Sequence, residues 1–270
     1  AGAKATYTVE ALMHDGKALQ SGTSHYFGTG FAEAFDVTFQ DRDGKLKFVH
    51  QTSWGLSTRS IGALIMVHGD NSGLVLSPNI APHQVVILPI AMHKGGVKEK
   101  ALELQESIKQ LGIRVISDIS DKSPGWKFAE YEMKGVPVRL EVGPKDIENN
   151  QVVLVRRDTG EKEVVPMDQL ANRLPSLLSD IHDNLLQKAK SNLQDKTYSA
   201  RSFQEMKDLA ETKPGLIKAM WCGELACEEK IKEEAGLTSR CIPFDEEAIA
   251  TTCVCCGKPA EQLVIWGKAY

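Results

Sequence analysis

The chain has 270 residues, 42% hydrophobic and 25% charged, with a formal net charge of -4. That is enough apolar material to bury real cores in two or three domains, and the charge excludes binding nucleic acid through bulk positive potential, so any such partner has to be met by local patches. No apolar run approaches the ~18 residues of a membrane span, and no charged-then-apolar leader opens the chain; both point to the cytoplasm.

In chain order, Tyr7-Thr-Val-Glu-Ala-Leu-Met13 mixes β-branched and apolar residues and runs into the turn signal His14-Asp-Gly-Lys17. An extended pattern resumes at Ala18, so the two stretches read as a β-hairpin. Phe31 to Phe35 reads as one helical turn carrying two aromatics to the core. Val37-Thr-Phe39 and Leu46-Lys-Phe-Val49 alternate as antiparallel strands around the turn Asp41-Arg-Asp-Gly44. Gln51 to Asp70 starts polar, ends its first half in Arg59, and then carries Ile61, Leu64, Ile65 and His68 at helical spacing. It predicts strand or loop, then helix, with Arg59 at the helix start. The helix dipole favours anions at that end, so helix stability does not account for an arginine there; a phosphate ligand or a neighbouring carboxylate does. Leu74-Val-Leu76 and the prolines at 78 and 82 close this first region, residues 1–83.

From Gln84 the texture changes. Val85-Val-Ile-Leu-Pro-Ile90 is a near-continuous apolar run, as buried parallel strands are, and Lys98 to Leu111 is amphipathic with Ala101, Leu104, Ile108 and Leu111 on one face, capped by Gly112. Ile113 to Ile116 is a further strand, Trp126 to Met133 a helix, and Pro137 to Val142 a third strand that ends at Gly143-Pro144. Val152 to Val155 and Val164-Val165 form a hairpin-like pair. Alternating strands and helices define a small α/β domain. Asp168 to Lys190 then predicts a long helix with Leu170, Leu174, Leu177, Leu178, Ile181, Leu185 and Leu186 as its stripe and Pro175 near its start. The second region is residues 84–190.

In the third region, residues 191–270, Tyr198 to Ser202 reads as a polar loop before a short helix through Leu209. The six cysteines crowd between Cys222 and Cys256. In a leaderless chain that clustering favours a metal over disulfides. Cys222-x4-Cys227, separated by 25 residues from Cys253-x2-Cys256-Gly257, offers four thiolates in two pairs, the set a closed tetrahedral zinc site uses. Cys241 and Cys255 are spares.

The string Ser53-Trp-Gly-Leu-Ser-Thr-Arg59, continued by Ile61-Gly-Ala-Leu-Ile-Met66 and His68-Gly-Asp70, closely resembles motif 3 of the class II prolyl-tRNA synthetases. Gln20-Ser-Gly-Thr-Ser-His25 resembles that family's loop over proline and adenosine, and the region from Trp221-Cys-Gly-Glu to the terminal Tyr270 resembles the C-terminal domain of its eukaryotic and archaeal type. Gly135 to Asp146 resembles the segment that faces the anticodon guanines. The resemblance implies a multidomain α/β and α+β chain: a fragment of the class II antiparallel-sheet catalytic domain, an α/β anticodon-binding domain, and a zinc-binding α+β domain.

It also implies roles. Arg59 would brace the γ-phosphate of ATP, brought with Mg, as the catalytic arginine. Gln20, Thr23 and Ser57 would bond the nucleotide, and His25, Ser53 and Trp54 would form part of the proline pocket, Trp54 as an apolar wall. Glu132, Arg139, Lys145 and Asp146 would read the anticodon of a proline-specific tRNA. Cys222, Cys227, Cys253 and Cys256 would hold the zinc, and the carboxylate of Tyr270 would fold back toward the active site. Charge alone does not support the RNA role, since residues 84–166 carry 13 Lys or Arg against 13 Asp or Glu. Nothing resembles motifs 1 and 2, so the expectation is the second half of a homodimeric proline-tRNA ligase, inactive by itself; the rival is a non-catalytic RNA-binding fragment or paralogue with a structural zinc module.

Overall fold

In the computed structural model, which describes residues 2–245 and 247–270, the chain folds into two compact units. One joins two separate stretches, Ala1–Val67 and Asn192–Tyr270; the other is His68–Ser191.

The first stretch opens with the expected hairpin, β1 (Ala5–Leu12) and β2 (Ala18–Gly28). Its turn needs glycine: Gly16 has φ of 77°, and a Cβ there would meet the backbone of Pro214 at 2.5 Å. There follow α1 (Gly30–Ala34), β3 (Thr38–Gln40), β4 (Leu46–Phe48), β5 (Gln51–Leu56) and α2 (Arg59–His68). Strands β1, β2 and β5 form one antiparallel sheet in that order, and β3 and β4 pair separately.

Two burial expectations fail here. In α1 the residue that is buried is Ala32, while Phe31 and Phe35 are 38% and 74% exposed. In α2 the buried residue is Ala63, and the stripe residues Ile61 and Ile65 are 59% and 43% exposed. Helical spacing fixes which residues share a face but not how far that face is covered: Phe31 meets the Phe27 ring from β2 edge-on, with ring centres 4.9 Å apart, and stays part-exposed.

In the second unit, β6 (Val85–Pro89), α3 (Val97–Gln110), β7 (Val115–Ser117), α4 (Pro124–Met133), β8 (Val138–Val142), α5 (Pro144–Glu148), β9 (Gln151–Arg156), β10 (Lys162–Pro166) and α6 (Leu170–Asp195) follow in order. The sheet runs β10-β9-β8-β6-β7, with β6 parallel to β7 and β8, and β9 antiparallel to β8 and β10. Central strand β6 is covered on both faces, which is why its sequence is a run rather than an alternation. Val85 and Ile87 pack with Leu140, Leu154, Ala101, Ile108 and Leu174, whereas Val86 and Leu88 pack with Phe128 and Tyr131 of α4.

Val75, expected to close the first region, is buried in this second core instead. Glycines make the approach possible: Leu74 N–H donates to Met133 O at 2.9 Å, and a Cβ on Gly73 or Gly135 would strike the facing backbone at 2.5 or 2.7 Å. Leu111 and Leu186 of the predicted stripes are 40% and 44% exposed. Leu111 lies just past the end of α3, where the backbone turns away through Gly112.

The first unit is completed by β11 (Thr197–Ser199), α7 (Phe203–Thr212), β12 (Leu216–Trp221), α8 (Leu225–Ala235), β13 (Thr238–Cys241) and β14 (Gln262–Gly267), in a sheet of order β11-β12-β14-β13. Tyr198, read as loop, lies in edge strand β11 parallel to β12; three residues carry too little pattern to be recognised. Met206, Ile217, Ile231, Val264 and Trp266 form the core beneath this sheet.

Candidate functional site

Three groups of side chains carry chemistry. The first lies on the β1-β2-β5 sheet, where His25 stands opposite Ser53, Ser24 opposite Trp54, and Thr23 opposite Gly55. Opposed residues share a face and neighbours alternate, so Thr23, His25 and Ser53 point to one side and Trp54, 79% exposed, to the other. The structure therefore brings together His25 and Ser53 and does not bring Trp54 to them.

Plain alternation would also turn Gln20 away from Thr23. The β1-β2 ladder, however, shifts register between Val9 and Glu10: Val9 opposes Gly22 and Glu10 opposes Gln20, which leaves Ser21 as an extra residue. One extra residue inverts the alternation and returns Gln20 to the face of Thr23. Gln20, Thr23, Ser57 and Arg59 then line one open groove of about 340 Å³, with Gly22 and Gly55 between them.

The turn into α2 sets the last two. Ser57 Oγ accepts the Arg59 N–H at 3.3 Å, and its carbonyl accepts from the Ser60 N–H at 3.1 Å and hydroxyl at 2.6 Å. Arg59 is the first residue of the helix, is exposed, and has no carboxylate partner among the described residues. Of the two explanations for an arginine at that position, the ion pair is not formed among the described residues. His25 Nδ1 lies 3.0 Å from Thr6 Oγ1, which steadies its ring on the same face.

A second pocket, about 170 Å³, lies in the α/β unit between α4 and the sheet, lined by Tyr131, Glu132, Arg139, Arg156, Arg157 and Lys162. Arg139 projects from β8 on the α4 side, its guanidinium 4.2 Å from the Phe128 ring centre and its Nε donating to Glu141 at 2.8 Å. Arg156 grips Asp158 with two bonds of 2.9 and 2.8 Å. Burial opposes the Asp158 charge, but the bonds from Arg156 and Asn184 hold its carboxyl below the usual carboxylate range. Arg157 grips Asp70 at 2.7 and 2.6 Å and brings that carboxyl down to about 2. These arginines are thus fixed in place, while Lys162 is exposed and has no carboxylate partner among the described residues.

The structure groups Glu132 with Arg139 but leaves Lys145 and Asp146 outside this pocket, beyond the far end of β8 in α5. Asp146 caps that helix by accepting the Gly143 N–H at 2.8 Å, and Lys145 is exposed. Arg156, Arg157 and Lys162 were missed in the sequence; the signal was two adjacent cations ending a valine-rich strand.

The third group is the cysteine cluster. Cys222 follows β12, Cys227 lies in the first turn of α8, and Cys253 and Cys256 belong to a tight turn in which the Gly257 N–H donates to Cys253 O at 3.0 Å. Gly257 takes φ of 73° there. The four sulfurs lie within 4.8 Å of one another, with Cys222 at 3.7 Å from both Cys227 and Cys256. A tetrahedral zinc with Zn–S bonds of about 2.3 Å separates its sulfurs by about 3.8 Å, so the set fits a closed four-thiolate site. Burial pushes the Cys227 thiol up; at Cys253 it acts the same way, but N–H groups of Cys256, Cys255 and Cys222 bring that thiol down to about 7. Cys255 packs into the adjoining cores, and Cys241 lies apart at the end of β13. Tyr270 returns to the hairpin: its N–H donates to Ala18 O at 3.2 Å and its hydroxyl to Asp15 at 2.7 Å.

The second unit is a mixed five-stranded sheet flanked by helices, with an arginine-lined pocket on one face. The family model described as "Anticodon binding domain" matches residues 84–177, and the model described as "Prolyl-tRNA synthetase, C-terminal" matches residues 203–270. A proline–tRNA ligase 2 of Bacillus cereus is 67% identical over 270 residues, 100% of this chain and 56% of the relative. Proline–tRNA ligases of Clostridium novyi and Oceanobacillus iheyensis are each 63% identical over the same length, again 56% of the relative. The chain belongs to the prolyl-tRNA synthetase family, and it spans about half the length of the curated relatives it matches. No helix among the described residues is long and apolar enough to cross a membrane.

Proposed function

We propose that this chain is the second half of a cytoplasmic, homodimeric ligase that joins proline to its cognate tRNA through a prolyl-adenylate. The observation that carries the reading is the groove in which a one-residue bulge turns Gln20 to the side of Thr23, near an Arg59 at a helix start that has no carboxylate partner among the described residues. In the reaction a carboxylate oxygen of proline bonds to the α-phosphorus of ATP, and the bond to pyrophosphate breaks. No covalent protein group is needed, so the residues position reactants and hold charge. ATP enters with Mg; Arg59 braces the γ-phosphate, and Gln20, Thr23 and Ser57 hydrogen-bond the nucleotide. His25 and Ser53 face proline, and we leave Trp54 out of the pocket because the pleat directs it to the other side.

We assign the stretch up to Val67 to the catalytic domain, His68–Ser191 to the anticodon-binding domain and the stretch from Asn192 to the C-terminal domain. The sheet face that bears Tyr7, Val9, Trp54 and Leu56, each 55–79% exposed, is the face the other strands of the catalytic domain would cover. The zinc would be structural, held by Cys222, Cys227, Cys253 and Cys256, with no open position for substrate.

The test is proline-dependent exchange of pyrophosphate into ATP by the complete ligase carrying this sequence. Exchange driven by proline over other amino acids is expected; none, or a preference for another amino acid, would remove the reading in favour of a non-catalytic RNA-binding protein. For the anticodon domain, Arg139→Ala is expected to weaken cognate tRNA by about 1–3 kcal/mol, the scale of one lost base contact, with exchange unchanged. Filter binding and exchange on the same preparation check both. Lys145→Ala, outside the pocket, tests whether reading extends to α5.

A further inference from the structure

The bulge that turns Gln20 into the groove does not stand by itself. Glu10, directly opposite Gln20 and on the same face, is gripped by Arg240 at the end of β13: Nε donates to Oε2 and Nη2 to Oε1, both at 2.8 Å. The two side chains are 14% and 15% exposed, and Arg240 Nη1 also donates to Thr238 Oγ1 at 3.1 Å, which fixes the plane of the fork. A bidentate pair sheltered from water sets orientation as well as distance. Other contacts from the C-terminal stretch of the same unit hold the hairpin nearby. Lys196 Nζ donates to His14 O at 2.8 Å, and the Ala18 N–H donates to Lys268 O at 2.8 Å.

We propose that Arg240, acting through Glu10, is a positioning residue for the nucleotide: it pins the bulge and thereby aims Gln20 into the groove. The inference rests on the reading of that groove as the ATP site. Among the described residues strand β1 pairs with β2 alone, so the ladder has one neighbour to resist a shift. A slip of one residue sends Gln20 to the opposite face, and losing Arg240 leaves a sheltered carboxylate whose simplest relief is to move β1 out toward water.

The test uses the complete ligase with Arg240→Gln, the milder Glu10→Gln, and the exchanged pair Glu10→Arg with Arg240→Glu. Either single variant is expected to raise KM for ATP by about tenfold or more, the scale of a small misplacement, with KM for proline and metal content near wild type. The exchanged pair is expected to recover most of the loss. Amide hydrogen exchange should speed up locally in Val9–Leu12 and Ala18–Thr23 in the single variants. Unchanged KM for ATP in both single variants overturns the proposal, as does an equal loss for all substrates that the exchanged pair does not recover. If wild-type ligase shows no ATP-dependent exchange, the groove reading fails and this inference with it; if wild type exchanges and the single variants match it, only the role of Arg240 fails.

Discussion

Arg59→Ala should slow proline-dependent pyrophosphate exchange by about 10² or more, the effect of removing one charge-stabilising donor from a transition state. The substitution is clean because no described residue pairs with this side chain. The backbone N–H of Arg59, not its guanidinium, holds Ser57, and Ser57 keeps its bonds to Ser60 in the variant. Alanine is also the better residue at a helix start, where a cation opposes the dipole by about 0.3–1 kcal/mol. The melting temperature should stay level or rise slightly while exchange collapses. Arg59→Lys should recover only part of the rate, since an ammonium is a point charge without the planar fork. Exchange within twofold of wild type in Arg59→Ala, measured at saturating ATP, would take the arginine out of the chemistry.

Removing the metal should damage structure and leave the chemistry of the groove untouched except through the fold. Purified protein is expected to hold about one zinc per chain. In a closed thiolate site the binding energy, ~10–16 kcal/mol in zinc-finger peptides, is folding energy, so chelation or Cys253→Ser should melt the region around β12, α8 and β14 first. Cys227 and Cys253 are buried beside Met220 and Leu263, so the loss reaches a core and not just a surface turn. Cys255→Ser and Cys241→Ser should change metal content little, because neither sulfur belongs to the cluster of four. Metal analysis with hydrogen exchange of β12 and β14 checks both halves. A metal-free protein with an unchanged C-terminal transition, or a need for Cys255 in place of Cys253, would redraw the ligand set.

What was legible in the sequence follows from how local each signal is. The run Val85 to Leu88, the stripe of α6 and the Cys-x-x-Cys-Gly turn each carry their pattern within a few residues, and the corresponding strand, helix and knuckle appear in the fold. The groove was legible as a set of residue types but not as geometry, because the bulge at Ser21 is a property of pairing between strands. The same pairing decided against Trp54, whose neighbours in the string suggested a pocket that the pleat divides in two. Phe35 and Ile61 failed for another reason: their spacing was right, but what covers a face is not encoded in that face. In the α/β unit, Arg156 and Arg157 were hidden by an even balance of charge, since each spends itself on an acid, Asp158 or Asp70.

The pairing of Ala18 with Lys268 and Tyr270 has a consequence for synthesis. These partners are separated by 250 positions or more, so at about 5–20 residues per second a ribosome makes the first roughly ten to fifty seconds before the second. The hairpin that carries Gln20 gains strand β5 early but must spend that interval without its C-terminal partners at Ala18 and Glu10. The α/β unit is one continuous stretch, His68–Ser191, and suffers no such delay. Nascent chains that have emerged from the ribosome past α6 but still lack the C-terminal stretch should therefore contain a finished α/β unit and a hairpin not yet pinned at Glu10 and Ala18.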